Sequence, residues 1–285
     1  MIIPSFVLIV VVTGFPLLYS VYVSLTPYNL LRPDTLAIDL ANPFGNYITL
    51  VNDPVFRDAL LNTIIFLAVT VNLEYVLALG LSQLLARVTV GQSILRTLLM
   101  IPMMFAPILV GFQFRWFFNA QAGLVNNILL SIGLIQEPIA WLVDEPLGMI
   151  SIMTATIWMN LPVTTIILLA GTLSLPHEVF EAADVDGASG WQKFVRITFP
   201  MLAPFTFIAL TIRSLDVARA FDIVRIMTDG GPAHRTELIW TYVTRLAIES
   251  NQFGLGSAMA LITVFISLAF TVYFFRQLVK ARIVQ

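Results

Sequence analysis

The sequence predicts an all-α integral membrane protein with six transmembrane helices, and three observations carry that reading. Of 285 residues, 58% are hydrophobic and only 11% charged, where a soluble domain carries about 25% charged residues. The mean hydropathy is +0.89. The apolar residues gather in runs near the roughly 20 residues that a helix needs to cross a bilayer core. These runs are continuous rather than alternating, which favours helices over a barrel.

The spans fall at approximately 2–25, 59–85, 94–118, 147–173, 201–227 and 256–275. The opening stretch MIIPSFVLIVVVTGFPLLYSVYVSL lacks a basic leader and a small-residue cleavage site, so it reads as a retained span. Pro16, Pro102, Pro107, Pro162 and Pro204 lie within spans, where neighbouring helices can re-satisfy the freed backbone groups. Orientation follows the basic residues beside the spans. Arg87, Arg96, Lys193, Arg196, Arg276, Lys280 and Arg282 fall on one side, against Arg32, Arg57, Arg235 and Arg245 on the other. Both termini are therefore expected in the cytoplasm, with acidic outer loops. No internal repeat is visible, so residues 1–285 read as one transmembrane domain.

One stretch breaks the pattern. Between the fourth and fifth spans lies a polar island at 174–200, with Glu178, Glu181, Asp184 and Asp186 followed by Lys193 and Arg196. Ser174 and Pro176 are start signals for a short helix, and Asp186-Gly187 signals a turn. Ser189 can cap a second helix through Trp191, Phe194 and Ile197 toward the next span. Ala182, Ala183 and Gly187 keep one surface small, while Val179 and Phe180 supply apolar contact. On these grounds alone the island reads equally well as a solvated loop or as a docking element.

The residue pattern adds a resemblance. Glu181-Ala182-Ala183, then Gly187, then Ile197-Thr198-Phe199-Pro200 resembles the E-A-A-x3-G-x9-I-x-L-P loop of ABC-importer permeases, with Phe199 in place of the leucine. Thr228, Gly230, Gly231, Pro232 and Thr236 match the T-x-GGP-x3-T segment of sugar permeases in that superfamily. FGLGSAMALI (253–262) and NTIIF (62–66) are similar to the openings of the last span and of the first core span. The similarity covers most of the chain from about residue 55 and points to the maltose, trehalose and glycerol-phosphate type.

The resemblance implies a type I ABC importer permease fold in a bacterial or archaeal cytoplasmic membrane. It makes 174–200 a cytoplasmic coupling loop, with Val179, Phe180, Glu181, Ala182, Ala183, Asp186 and Gly187 meeting an ATPase. It also implies a second homologous permease subunit, an ATPase dimer that uses ATP and Mg, an extracytoplasmic sugar-binding protein and a carbohydrate substrate. A disaccharide or oligosaccharide is expected first, with a polyol or glycerol phosphate as the alternative and an ion-coupled secondary carrier as a more distant one.

The chain shows no phosphate-binding glycine loop of the G-x-x-x-x-G-K-[ST] form. It has no cysteine, its two histidines lack metal spacing, and no nucleophile–base set is visible. The expectation is a translocation subunit with no catalytic residue, no metal, no cofactor of its own and no nucleic-acid partner. Within the membrane, RSLDVARAFDIVR carries Arg213, Asp216, Arg219, Asp222 and Arg225 at intervals of three. Charges at mid-membrane depth are costly and cannot all face lipid. Arg213 and Asp216 are candidate pathway residues, or else members of a salt-bridge ladder between subunits. Asn72, Glu74 and Tyr75 in the second span and Asn160 in the fourth supply groups that suit sugar hydroxyls, or inter-helix hydrogen bonds.

Overall fold

The computed structural model describes Leu8 and residues 10–283. Among them the chain is helical, with one isolated bridge between Asn29 and Arg32 and no strand. It divides into two compact units. Residues up to Ile64 with Thr228–Leu268 form the first, and Ile65–Met227 with the chain from Ala269 form the second.

In the first unit, helix α1 (Phe15–Ser24) follows a π-turn at Val10–Gly14, and α2 covers Gly45–Asn52. The long helix α3 (Pro54–Arg87) starts here. Asp53 caps it, its Oδ1 accepting the Val55 N–H at 2.9 Å, and Pro54 stands in the first turn, where a missing N–H costs nothing. Leu50, Phe56 and Ala59 pack against Ile239, Tyr242, Val243 and Leu246 and against Ala258 and Met259. The segment after Thr228 is thus ordered structure: Asn62 Nδ2 donates to the carbonyls of Arg235 and Glu237, and Thr63 Oγ1 accepts from the Ile239 N–H. NTIIF and the GGP segment, read separately in the sequence, hold each other.

The second unit contains the rest of α3, then α4 (Gln92–Met100), α5 (Pro107–Phe117), α6 (Leu124–Ser131) and α7 (Leu147–Leu173). Helices α3 and α7 run in the same direction, tied at Glu74–Thr164 and again at Gln83–Thr172. Pro162 lies inside α7 without ending it. After α7 come α8 (His177–Val185), a composite helix over Gly190–Met201, α9 (Ala203–Val217) and α10 (Asp222–Met227). Leu202 is fully buried with Ala78, Leu79 and Leu168. The last helix, Phe253–Ile283, runs from the first unit into the second.

The six expected spans divide into three kinds. Pro54–Arg87 and Leu147–Leu173 are each long and apolar enough to cross a membrane, as 59–85 and 147–173 anticipate. The spans expected at 94–118 and 201–227 are not straight. Gln92–Met104 meets Pro107–Phe117 at 90°, and Gly190–Met201 meets Ala203–Val217 at 62°. At the first bend the ring of Pro107 excludes the helical angle from the residue before it, and Ala106 is extended with ψ 140°. Val10–Ser24 and Phe253–Ala269 are shorter apolar helices. Among the described residues the chain therefore has two such spans, or four if each bent pair is one. Residues 2–7 and 9 of the first expected span, and the side chains of Lys280 and Arg282, lie outside the described residues.

Candidate functional site

The island at 174–200 folds as two helices around a turn. Ser174 does not cap the first. It ends α7, and its hydroxyl donates back to the Gly171 carbonyl at 2.8 Å. The cap position of α8 is Pro176, which offers no side-chain acceptor, so Glu178 in the first turn is the group that favours this end electrostatically. The other end is closed by the backbone. Gly187 adopts φ +72°, its N–H bonds the Asp184 carbonyl, and the Ala188 N–H bonds that of Ala183, the paired bonds of a Schellman motif. Ser189 then caps the next helix with Gln192 in a reciprocal capping box.

Lys193 Nζ lies 2.6 Å from Asp184 Oδ1 and ties the second helix to the first. Val179, Glu181, Ala182, Asp186 and Gly187 are exposed, while Phe180 and Ala183 are half-buried. Val185 is 89% exposed and Trp191 72%, far more than apolar groups of that size favour in water. Sequence reasoning omitted both from the coupling residues. Their apolarity beside charged neighbours was the available signal.

The second site lies where α3, α7 and α9 meet. Arg213 is buried and bonds Glu74 in a bidentate pair, Nε to Oε1 at 2.8 Å and Nη2 to Oε2 at 3.0 Å. Glu74 is fully buried and also accepts the Thr164 hydroxyl at 2.5 Å. Arg213 Nη1 donates to Asp216 Oδ2 at 3.1 Å, and Arg219 Nη2 reaches Asp216 Oδ1 at 3.6 Å. Beside this cluster opens a cleft of about 210 Å³ lined by Pro107, Thr156, Met159, Asn160, Arg213, Asp216 and the 217–223 turn.

The structure thus brings Asn160, Arg213 and Asp216 together at one cleft, with Glu74 behind Arg213. Asn72 and Tyr75 go elsewhere. Asn72 is exposed and donates to Ala68 of its own helix, and Tyr75 meets the Thr206 hydroxyl at 3.1 Å beside the buried Leu202 cluster. Nor do the five charges wind along one helix. Helix α9 ends at Val217 in tightened bonds, Arg219 N–H to Asp216 and Ala220 N–H to Val217, and Asp222 opens a new helix. The residues between, Ala218–Phe221, include neither Gly nor Pro, so the sequence holds no stop signal there. The ion pairs from Arg213 are within this chain. Thr164 and the 217–223 turn are the parts of the site that sequence reasoning missed.

A third cluster went unanticipated. Glu237 is fully buried, 2.8 Å from His234 Nδ1 and 3.2 Å from Arg245 Nε. Arg245 also donates to the Asp229 carbonyl at 2.8 Å. Gly230 has φ +75°, and a Cβ there would stand 2.6 Å from Glu237 Oε2. Thr236 closes the turn, its hydroxyl donating to the Gly231 carbonyl and lying 2.7 Å from that of Thr228. The GGP segment is a folded clasp around a buried carboxylate. Among the described residues no group of three metal-ligating side chains gathers.

Comparison with known proteins gives the family of the chain. Residues 76–285 match the family described as binding-protein-dependent transport system inner membrane component. The chain is 30% identical over 279 residues to the trehalose/maltose transport system permease protein MalF of Thermococcus litoralis, covering 97% of this chain and 91% of that one. It is 32% identical over 262 residues to the trehalose transport system permease protein SugA of Mycobacterium tuberculosis H37Rv, covering 91% and 81%. In structure it is similar to a chain of a bacterial ABC transporter involved in import of the acidic polysaccharide alginate. The TM-score is 0.82 at 20% identity, over 98% of this chain and 94% of that one.

Proposed function

Because the chain belongs to the family of binding-protein-dependent transport system inner membrane components, we propose that it is the permease subunit of an ATP-driven importer for a carbohydrate, a disaccharide or oligosaccharide first. It forms half of a translocation pathway with a second homologous permease. An ATPase dimer hydrolyses ATP with Mg on the cytoplasmic side, and an extracytoplasmic binding protein delivers the sugar. The relatives named for trehalose and maltose support the substrate class. In this reading each bent helix pair is one crossing, the helices at either end supply two more, and both termini are cytoplasmic.

The observation that carries the proposal is the form of α8. It is a nine-residue helix stopped by a glycine with positive φ, exposing Val179, Ala182 and Val185 in water. An exposed apolar stripe of this kind on a short helix is suited to a groove on a partner. Asn160, Arg213 and Asp216 then line part of the sugar's route, with the hydroxyl-matching donors and acceptors that such a route needs.

The test is co-purification of the ATPase with the permease, and ATP-driven sugar uptake into proteoliposomes supplied with the binding protein. Glu181→Lys and Ala183→Trp are expected to leave the subunit in the membrane while weakening docking or uncoupling hydrolysis from uptake. Wild-type docking and uptake in both variants would return the island to an ordinary solvated loop.

A further inference from the structure

The charge arrangement behind the cleft deepens this reading, and rests on it for the cleft's being part of the sugar route. Glu74 is fully buried and accepts three hydrogen bonds, two from Arg213 and one from Thr164. Arg213 has five N–H donors, and its three hydrogen bonds to Glu74 and Asp216 leave two uncommitted. The guanidinium borders the cleft. It therefore presents hydrogen-bond donors while its charge is cancelled at a distance of 2.8 Å.

The charged lining is Arg213, Arg219, Asp216 and Asp222, two cations against two anions. With Glu74 behind Arg213 the balance becomes minus one. Arg219 is 3.6 Å from Asp216. A carboxylate, sulfonate or phosphate entering the cleft thus meets no uncompensated guanidinium and would lose hydration without gaining a counter-charge. A hydroxyl meets N–H donors and the acceptors of Asp216 and Asn160, one of whose two amide N–H groups is committed to the Thr156 carbonyl.

We propose that Glu74 sets the charge selectivity of the cleft: by pairing with Arg213 it makes an electroneutral donor platform, so that the cleft takes uncharged, hydroxyl-rich ligand segments and disfavours anionic ones. Glu74 is a positioning residue, acting through Arg213.

The chain has no cysteine, so Ala220→Cys, on the cleft wall, gives it a single thiol. In the purified transporter that thiol is reacted with anionic sulfonatoethyl and cationic trimethylammonioethyl methanethiosulfonate, and modification is read on this chain by mass. In the Ala220→Cys protein the cationic reagent should gain over the anionic one, relative to the same pair on glutathione. Glu74→Gln should shift the anionic-to-cationic rate ratio upward by about threefold to tenfold. Arg213→Gln should shift it downward, and the double variant should return it to within about twofold of the starting value, as compensating charges require. A ratio that does not move in the single variants overturns the proposal. If neither single variant assembles, the parent ratio decides, and preference for the anionic reagent overturns it. No transport is measured, so lost uptake leaves the inference standing, whereas failure of transported sugar to protect the thiol counts against the pathway reading alone.

Discussion

Replacing Gly187 separates strain inside the subunit from fit against a partner. At φ +72° an L side chain is penalised, and Ala costs about 1 kcal/mol relative to Gly. A Cβ built there meets nothing within 4 Å in this chain, so the penalty is one of backbone angle and does not grow with side-chain size. Gly187→Ala and Gly187→Leu should therefore loosen the end of α8 equally, by about fivefold in the population of the closed turn. Gly187→Asn should cost less, because asparagine enters the left-handed region more readily. Only docking can distinguish Ala from Leu, because only a partner can meet the added atoms. Affinity of the ATPase for the permease in nanodiscs, measured beside ATP-driven uptake, should rank Gly above Ala and Ala well above Leu. Equal docking of the Ala and Leu variants would refute a close approach at Gly187, and an Asn variant that loosens the end of α8 more than Ala in the subunit alone would refute the backbone argument.

Other perturbations follow from the same geometry. Arg213→Ala strands a buried carboxylate and should destabilise the subunit by about 3–5 kcal/mol, whereas Asp216→Ala, at a half-exposed position, should cost far less. Thermal unfolding in detergent reads both, and equal losses would contradict the assignment. The Tyr242 phenol, outside the spans, is held above the ordinary tyrosine range, first by burial and then by the Asp53 carboxylate that its hydroxyl bonds. Its contribution to stability is present below about pH 10 and is lost as pH rises further, because the unfolded chain releases that proton first. Tyr242→Phe should flatten the fall in melting temperature above pH 10. Crosslinkers placed in 28–58 and 228–256 should capture the binding protein in an active complex, and no capture from either segment would count against their facing outward.

Sequence and structure agree where the determinants are local. The apolar runs at 59–85 and 147–173 exceed the length of a bilayer core, and one long helix is their simplest outcome. The turn at Gly187 and the cap at Ser189 are set by residues within five positions of each other. Prolines 102 and 107 were visible, but tolerance or a right-angled bend depends on what packs around them, as Pro162 inside α7 demonstrates by bending nothing so sharply. The partner of Arg213 lies 139 positions away, and no periodicity in its own segment points to Glu74. His234, Glu237 and Arg245 looked like scattered polar residues in an outer loop. Their meeting depends on the turn at Gly230, whose close approach to the Glu237 carboxylate arises only in the folded chain.

The Lys193–Asp184 contact gives the α8 end of its unit a mechanical character. It braces α8 against the composite helix Gly190–Met201, and that helix meets α9 at a 62° elbow. The elbow residue, Leu202, is seated among Ala78, Leu79 and Leu168 and so serves as a fulcrum. The arms of this bell crank end at unlike loads. One carries the exposed face of α8, and the other carries Arg213 and Asp216. A sideways push on the first arm has a through-chain route to the second, with the gap at Gly187-Ala188 spanned by the exposed Lys193–Asp184 pair.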